Sequence, residues 1–567
     1  MRDLFRVLLK HFFDRFFDNE LVSRQGDMSQ GLAKIAGVLA APGLYCFWLT
    51  PKYVVLSFQS AAAQEAASLS DKIFMLTLSI VVMGLLTVLE WDALFPDRRD
   101  FTILIPLPIR LEMVFGAKIV SLCGFVILFF VAVNAISTFV YPFVAMRAPV
   151  TPATIFGHMG VHAICIFAGT SFVFFFFVAL QGLLMNFLSF RAFRRASSYV
   201  QLFSVFVLLL MILILMDFSS LLQSANYRDL LYYFPPMWFL GLYESFMGKP
   251  EPLPGLSIIA IRAVWIVVGS SFLAYALSYK RHVKRSLESE EIFDVVPSRL
   301  STWMCSLVDR YAVRHPLEQA CFYFTGKTMF RSRKHWLYLS AYVGVGFGLV
   351  LQGVMGALSR QGTPALDRPA ASLLSVPLVL SFFLLSGMRF VFTLPAELRA
   401  NWVFQLSDAD GRKECLAGVR KAMFAFGITP LLLSLFPVYV FLWGWSGAIF
   451  HSFYDAVLSL LLIEVLLFRF HKIPFTCSYL PGKANITGLW FVYGIGFATY
   501  AYSMATLEAR ILQDGWRMAL GYLLGALAVM LVYLYRNRAL SEGFNLVFEE
   551  QPEPAVRTLN LSIPGSW

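Results

Sequence analysis

The 567 residues are 58% hydrophobic and only 14% charged, whereas a typical soluble protein is about 45–50% apolar and about 25% charged. Such a chain cannot cover a soluble surface with polar side chains, so the composition excludes a soluble catalytic domain of ordinary size and predicts a lipid environment. The formal net charge of +11 would suit a nucleic-acid-binding protein, and its distribution along the chain decides whether that class is retained.

The basic residues are concentrated in alternate loops of the hydropathy pattern. One side holds 35 of the 46 Lys and Arg residues, the other side holds 10, and Arg389 lies inside a span. An excess of Lys and Arg marks the cytoplasmic loops of membrane proteins. The pattern predicts a multi-pass protein of the bacterial inner membrane with both termini in the cytoplasm, and it explains the charge without a nucleic-acid partner.

The first 22 residues are amphipathic. Apolar side chains recur at helical spacing, and Arg2, Arg6 and Lys10 fall on the opposite face. This pattern predicts an interfacial helix on the inner leaflet, with lipid as the partner of its basic side chains. A soluble helix packed on a partner protein is the alternative.

Apolar runs long enough to cross a bilayer core of about 30 Å, which needs about 20 residues, then follow in two sets. The first set lies near 31–50, 73–91, 113–145, 154–190, 197–217 and 256–279, and the second near 336–358, 372–394, 416–445, 449–470, 485–507 and 516–536. Between the sets, residues 280–335 are polar and end in an aromatic and basic stretch, as the N-terminus does.

This repetition predicts an internal duplication. We expect an all-α polytopic membrane protein of about twelve transmembrane helices in two six-span halves, residues 1–285 and 286–567. Each half is expected to begin with an interfacial amphipathic helix.

A charged inner loop follows the second span of each half. The candidate contact residues are Asp97, Arg98, Arg99 and Asp100 in the first half and Arg399, Asn401 and Trp402 in the second. Paired charges of this kind suit a protein interface. Solvated inner-loop charges that obey the positive-inside rule are the alternative.

The segment Phe95-Pro96-Asp97-Arg98-Arg99-Asp100, followed by Pro106-Leu107-Pro108 and Lys118, resembles the cytoplasmic loop of type-2 ABC permeases. The resemblance implies a leading interfacial helix, six spans, a short helix between spans two and three that docks on a separate ATPase subunit, and small outer helices between spans five and six.

Residues 218–255 match that outer insertion, and the whole chain would resemble two fused half-permeases. The second half departs from the pattern, because Ser407 and Asp408 replace the Pro-Leu-Pro run and the outer segment is only about Glu508 to Gly515.

Nucleotide and metal motifs are incomplete. Gly326-Lys327-Thr328 resembles the end of a phosphate-binding loop, but Cys321 stands where its first glycine belongs. ATP is therefore expected on a partner subunit, with no cofactor on this chain. His158 and His162 have a spacing that could bind a metal, but no nearby carboxylate completes the set, so we expect helix-packing histidines and no metal.

Catalytic groupings are also missing from the sequence. It offers no nucleophile elbow and no paired catalytic carboxylates, so we expect no enzymatic activity and no catalytic residues. The cysteines are interpreted as buried thiols rather than as a disulfide framework.

Charged side chains within spans are costly, at least about 2.5–3.5 kcal/mol near the bilayer centre. The charged residues within or at the edge of spans are Asp217, Arg262, Arg389, Asp455 and Glu464. Arg389 and Glu464 are the deepest, so we expect them to face a polar interior or each other.

These observations leave three possible functions for the chain. The first is the membrane-spanning permease of an ATP-driven ABC exporter that works with a cytoplasmic ATPase subunit on a transported substrate. The second is an ion-coupled secondary transporter of twelve spans. A membrane enzyme or assembly factor is disfavoured because catalytic groups are missing.

Overall fold

The structure is a computed structural model, and it divides into two compact units, residues 1–294 and 295–567. No strand occurs among the residues that it describes. The described residues are 2–14, 40–95, 109, 111–145, 151–215, 229–288, 308–361, 369–396, 412–468, 470, 473–476 and 486–541.

The first unit contains nine α-helices in its described residues. They are α1 (Arg2–Asp14), α2 (Tyr45–Leu56), α3 (Ala61–Leu89), α4 (Trp91–Leu94), α5 (Leu111–Ala145), α6 (Pro152–Phe187), α7 (Phe190–Ile214), α8 (Pro235–Phe246) and α9 (Leu256–Glu288). Helix α1 packs on α5, α3 packs on α6 and α7, and α8 packs on α3, α6 and α9.

Local sequence explains where the long helices of this unit begin. The side chain of Ser60 accepts a hydrogen bond from the backbone N–H of Ala63 and caps α3. Thr151 and Thr154 form a reciprocal capping box at the start of α6, and Pro152 occupies the first helical position, where its missing N–H costs nothing. The core between these helices is aromatic and aliphatic, with Val81, Phe125 and Phe174 fully buried.

The second unit contains eight α-helices in its described residues. They are α10 (Pro316–Arg331), α11 (Arg333–Gln361), α12 (Ala371–Val391), α13 (Arg412–Met423), α14 (Thr429–Leu467), α15 (Ile486–Ala498), α16 (Met504–Ile511) and α17 (Gly515–Ser541). Helix α12 packs on α11, α14 and α16, and α10 packs on α13.

Helix α14 is interrupted at Gly444, whose φ is 74° and ψ is 178°. Only glycine adopts this backbone conformation readily. The element has 39 residues and would be about 58 Å long if it were straight, roughly twice the thickness of a bilayer core. The break separates an N-terminal segment from a C-terminal segment that begins near Trp445.

Eight helices of the described residues are long and apolar enough to cross a membrane. They lie at Ala61–Leu89, Glu112–Ala145, Pro152–Phe187, Leu256–Leu277, Lys334–Val354, Ala371–Val391, Glu414–Leu467 and Gly515–Val532. The stretch Glu414–Leu467 includes most of α13 and all of α14. The all-α, multi-pass membrane class is therefore confirmed. The number of twelve spans, the origin of the halves 1–285 and 286–567 by duplication, and the orientation of the termini stay predictions.

Candidate functional site

The predicted contact loops lie outside the described residues, and this holds for Asp97, Arg98, Arg99, Asp100, Arg399, Asn401 and Trp402. The ends from which the loops depart are described, and both are fixed in place. In the first unit, Gln181 Nε2 donates to the carbonyl oxygen of Trp91 at 3.0 Å. The ring of Phe95 stacks on Tyr275 at 4.6 Å between centroids.

The corresponding end in the second unit is held by backbone hydrogen bonds. Phe475 N–H donates to Phe392 O, and Ala396 N–H donates to Phe475 O, each at 3.0 Å. His335 Nε2 lies 3.1 Å from Leu394 O and donates to it. Each predicted contact loop therefore leaves its unit from an anchored segment.

The leading helix of the first unit packs on α5. Leu8 and Phe12 of α1 are buried against Val114 and Ala117. The ammonium of Lys118 lies 5.0 Å from the centroid of the Phe12 ring, within the range of a cation–π interaction. One apolar face of α1 thus covers the start of a span, while Val7 is 64% exposed.

The leading helix of the second unit, α10, packs on α13 in a similar way. Lys421 Nζ lies 2.6 Å from a Glu318 carboxylate oxygen. Gly418 lies so close to α10 that an added Cβ would be 2.5 Å from Glu318 O. A disulfide joins Cys321 to Cys415, so the expectation of thiols is wrong for these two cysteines, which are 94 residues apart.

Gly326 and Lys327 are ordinary residues of α10. The ammonium of Lys327 lies 5.6 Å from the ring centroid of Tyr323.

Arg389 and Glu464 each have a polar partner. Arg389 Nε donates to Leu466 O at 3.0 Å, and its guanidinium lies 4.1 Å from the Phe470 ring centroid. Glu464 pairs with Arg420 at 3.1 Å. Both side chains therefore have polar contacts within the unit, and the carboxylate of Glu464 is paired with Arg420 of α13. The shared polar interior predicted for Arg389 and Glu464 stays a prediction.

A buried ionic network lies in the first unit. Lys72 Nζ of α3 lies 2.6 Å from Glu244 Oε1 of α8, and the ammonium is 4.7 Å from the Tyr243 ring centroid. The Tyr243 hydroxyl lies 3.4 Å from His162 Nδ1. His162 is 1% exposed and packs between aromatic rings, as expected for a helix-packing histidine.

A second buried cluster, the His–Asp–Glu cluster, lies in the second unit and consists of His451, Asp455 and Glu508, all at most 1% exposed. His451 Nδ1 is 2.6 Å from Glu508 Oε1, and His451 Nε2 is 3.3 Å from Asp455 Oδ2. The rings of Tyr439 and Trp443 lie 4.4 Å and 5.7 Å from the imidazole. A group of this composition can hold a proton or a metal ion.

Sequence reasoning found only one member of this cluster, because it recognised Asp455 as a charge in a span. His451 and Asp455 are four residues apart on one helix, so their shared face was a usable signal. Glu508 lies 53 residues beyond Asp455, in a segment predicted to be an outer loop, and only the fold brings it to the imidazole.

Comparisons with known proteins add no family. No protein-family model, curated protein or solved structure matches the chain. The fold and its buried polar clusters define the class, which is a multi-pass, all-α membrane protein.

Proposed function

We propose that this chain is the membrane-spanning permease of an ATP-driven exporter of the bacterial inner membrane, with ATP hydrolysed on a separate cytoplasmic subunit. In this proposal twelve spans form two six-span halves and both termini are cytoplasmic. One observation carries the proposal: the first α-helix described in each unit packs on a later helix of that unit, α1 on the start of α5 and α10 on the twelve-residue α13.

This arrangement supports transmission of movement from a soluble partner. The segments next to the predicted contact loops are tied to their units through Trp91 and through Phe392. A force applied to either loop would therefore reach helices that cross the membrane rather than be absorbed locally.

The sequence segment that resembles a phosphate-binding loop lies in a helix. Gly326, Lys327 and Thr328 lie inside α10, whereas a phosphate-binding loop joins a strand to a helix. The permease would supply the path for the substrate across the membrane, and the partner subunit would supply the energy by hydrolysing ATP.

The test is a quadruple substitution of Asp97, Arg98, Arg99 and Asp100 by Ala. Exposed ion pairs are each worth only about 0.2–1 kcal/mol, so the four changes are combined. We expect reduced copurification of the ATPase and hydrolysis that is no longer coupled to transport, while the purified chain elutes as the native protein does. The matched control replaces Glu65, an exposed acidic residue paired with Lys249, by Gln.

An ion-coupled transporter is the second candidate, because the His–Asp–Glu cluster is a grouping that could carry a coupling ion. Proteoliposomes that contain this chain alone separate the two. Uptake driven by an ion gradient without ATP, and unaffected by the quadruple substitution, would reject the exporter and establish the transporter.

A further inference from the structure

The imidazole of His451 bridges two carboxylates within the second unit. When Nδ1 donates its proton to Glu508 Oε1 at 2.6 Å, the lone pair of Nε2 points towards Asp455 Oδ2 at 3.3 Å. Neither oxygen of Asp455 accepts a hydrogen bond from the described residues, and Nε2 makes none with them either. A lone pair that faces a carboxylate in a buried site is stable only when a proton or a metal cation lies between them.

The two units balance their buried charges differently. In the first unit the carboxylate of Glu244 is neutralised by the ammonium of Lys72, and that of Asp71 by Lys52 at 2.7 Å. In the second unit the ion pairs of Asp455 and Glu508 within the described residues involve His451 alone. Two buried carboxylates and one imidazole leave negative charge that a bound cation would offset.

The two buried clusters occupy similar positions in the order of helices of their units, so their difference in charge can be compared directly. His162 and His451 lie near the start of corresponding helical segments, in α6 and in the part of α14 after Gly444. Glu244 and Glu508 both lie in short helices that precede the last long helix of their units, α8 before α9 and α16 before α17. In the first unit, Lys72 accompanies His162 and Glu244. In the second unit, Asp455 accompanies His451 and Glu508.

We propose that His451, Asp455 and Glu508 form a binding site for a divalent transition-metal ion, with His451 Nε2 and Asp455 as ligands and Glu508 as the residue that orients the imidazole. Two ligand atoms about 2.1 Å from one zinc ion in tetrahedral geometry lie about 3.4 Å apart. The observed separation of 3.3 Å matches that edge. A carboxylate on the second nitrogen of a metal-binding histidine is the common supporting arrangement.

The donors also select the class of metal. An imidazole nitrogen suits Zn²⁺ and its first-row neighbours, whereas Ca²⁺ and Mg²⁺ prefer ligand sets made of oxygen atoms. Tyr439 and Trp443 cover the imidazole and would limit access of solvent to the ion. Both ligands lie on α14, and Glu508 of α16 would contact the metal-bound imidazole.

The experiment uses the full chain in detergent, purified without a histidine tag and stripped with a chelator. Binding of Zn²⁺ is titrated by calorimetry, and Co²⁺ is titrated as a spectroscopic probe whose visible bands report nitrogen and oxygen ligation. We expect one ion per chain and an unfolding temperature that rises on addition of Zn²⁺.

Three variants probe the roles of the residues. Asp455→Asn and His451→Gln each remove a ligand, and we expect them to weaken binding at least 100-fold. Glu508→Gln keeps the ligands but alters the supporting contact, with an expected loss of about 10- to 100-fold. The matched control is Asp514→Asn, an exposed carboxylate that pairs with Arg517, which should bind as the native chain does. Size-exclusion elution verifies that each variant is folded.

Two outcomes would overturn the proposal. A folded native chain that binds neither Zn²⁺ nor Co²⁺ would leave a proton as the balancing charge. Native affinity in Asp455→Asn would place any bound metal elsewhere on the chain.

Discussion

Lys72 and Glu244 form a buried ion pair of 2.6 Å between α3 and α8, and their side chains are 6% and 3% exposed. The two residues are 172 positions apart in the chain, so the pair joins a long apolar helix to a short one. Because both charges are removed from solvent, each depends on the other.

We predict that Lys72→Met or Glu244→Gln alone lowers the free energy of unfolding by about 3–5 kcal/mol, because either change leaves an uncompensated buried charge. The double variant should be more stable than Lys72→Met alone, since no isolated charge remains. Thermal unfolding in detergent measures all three.

The control for this prediction is Glu65→Gln. Glu65 and Lys249 form an exposed pair at 3.1 Å, which should contribute no more than about 1 kcal/mol. Equal losses in Glu65→Gln and Glu244→Gln would contradict the burial of the Lys72–Glu244 pair.

Phe12→Ala should detach the leading helix of the first unit. Phe12 is fully buried, and truncation of a buried Phe to Ala costs about 3–5 kcal/mol. We expect faster trypsin cleavage after Lys10 and a lower unfolding temperature. Val7→Ala removes an exposed side chain of the same helix and should leave both unchanged; a similar effect of the two variants would mean that α1 is not held by its buried face.

Gly418→Ala should strain the packing of α10 on α13, which the disulfide between Cys321 and Cys415 holds together. The added Cβ would lie 2.5 Å from Glu318 O and 3.1 Å from Phe322 N, and these are backbone atoms that cannot rotate away. Overpacking of this kind costs about 1–3 kcal/mol. Gly494→Ala, where no atom lies within 4 Å of the added Cβ, is the control and should unfold at or above the native temperature.

The sequence predicted those parts of the architecture that depend on composition and on the spacing of apolar residues along a helix. Composition identified a membrane protein, and the periodic spacing of Leu8 and Phe12 identified the leading helix and the face that the structure buries. The pattern could not tell whether that face meets lipid or protein. In the structure it packs on α5, because Val114 and Ala117 present a complementary apolar surface.

The sequence did not predict which side chains contact each other. Glu464 was expected to face a polar interior or Arg389, and the sequence did not indicate Arg420 as the partner of its carboxylate. The contact between His451 and Glu508 spans 57 residues, and the disulfide between Cys321 and Cys415 spans 94. Such pairs depend on helix packing, which no local period encodes.

Helix α14 is broken at a single glycine. Gly444 has φ 74° and ψ 178°, and no atom lies within 4 Å of a Cβ added there. A substitution at Gly444 therefore meets no steric neighbour, and its cost comes from the backbone alone. We expect Gly444→Ala to lower the free energy of unfolding by about 1–3 kcal/mol.

The substitution Gly444→Asn tests whether the value of ψ at this position matters as well as the positive φ. Asn tolerates the left-handed helical region, where ψ is about +47°, but not the extended ψ of Gly444. Gly444→Asn should therefore destabilise the protein as Gly444→Ala does. Gly353→Ala, in a helical segment of the same unit with open space around the added Cβ, should be neutral or slightly stabilising. If Gly444→Ala unfolded at the same temperature as Gly353→Ala, α14 would be continuous through this position and could not turn there between two membrane crossings.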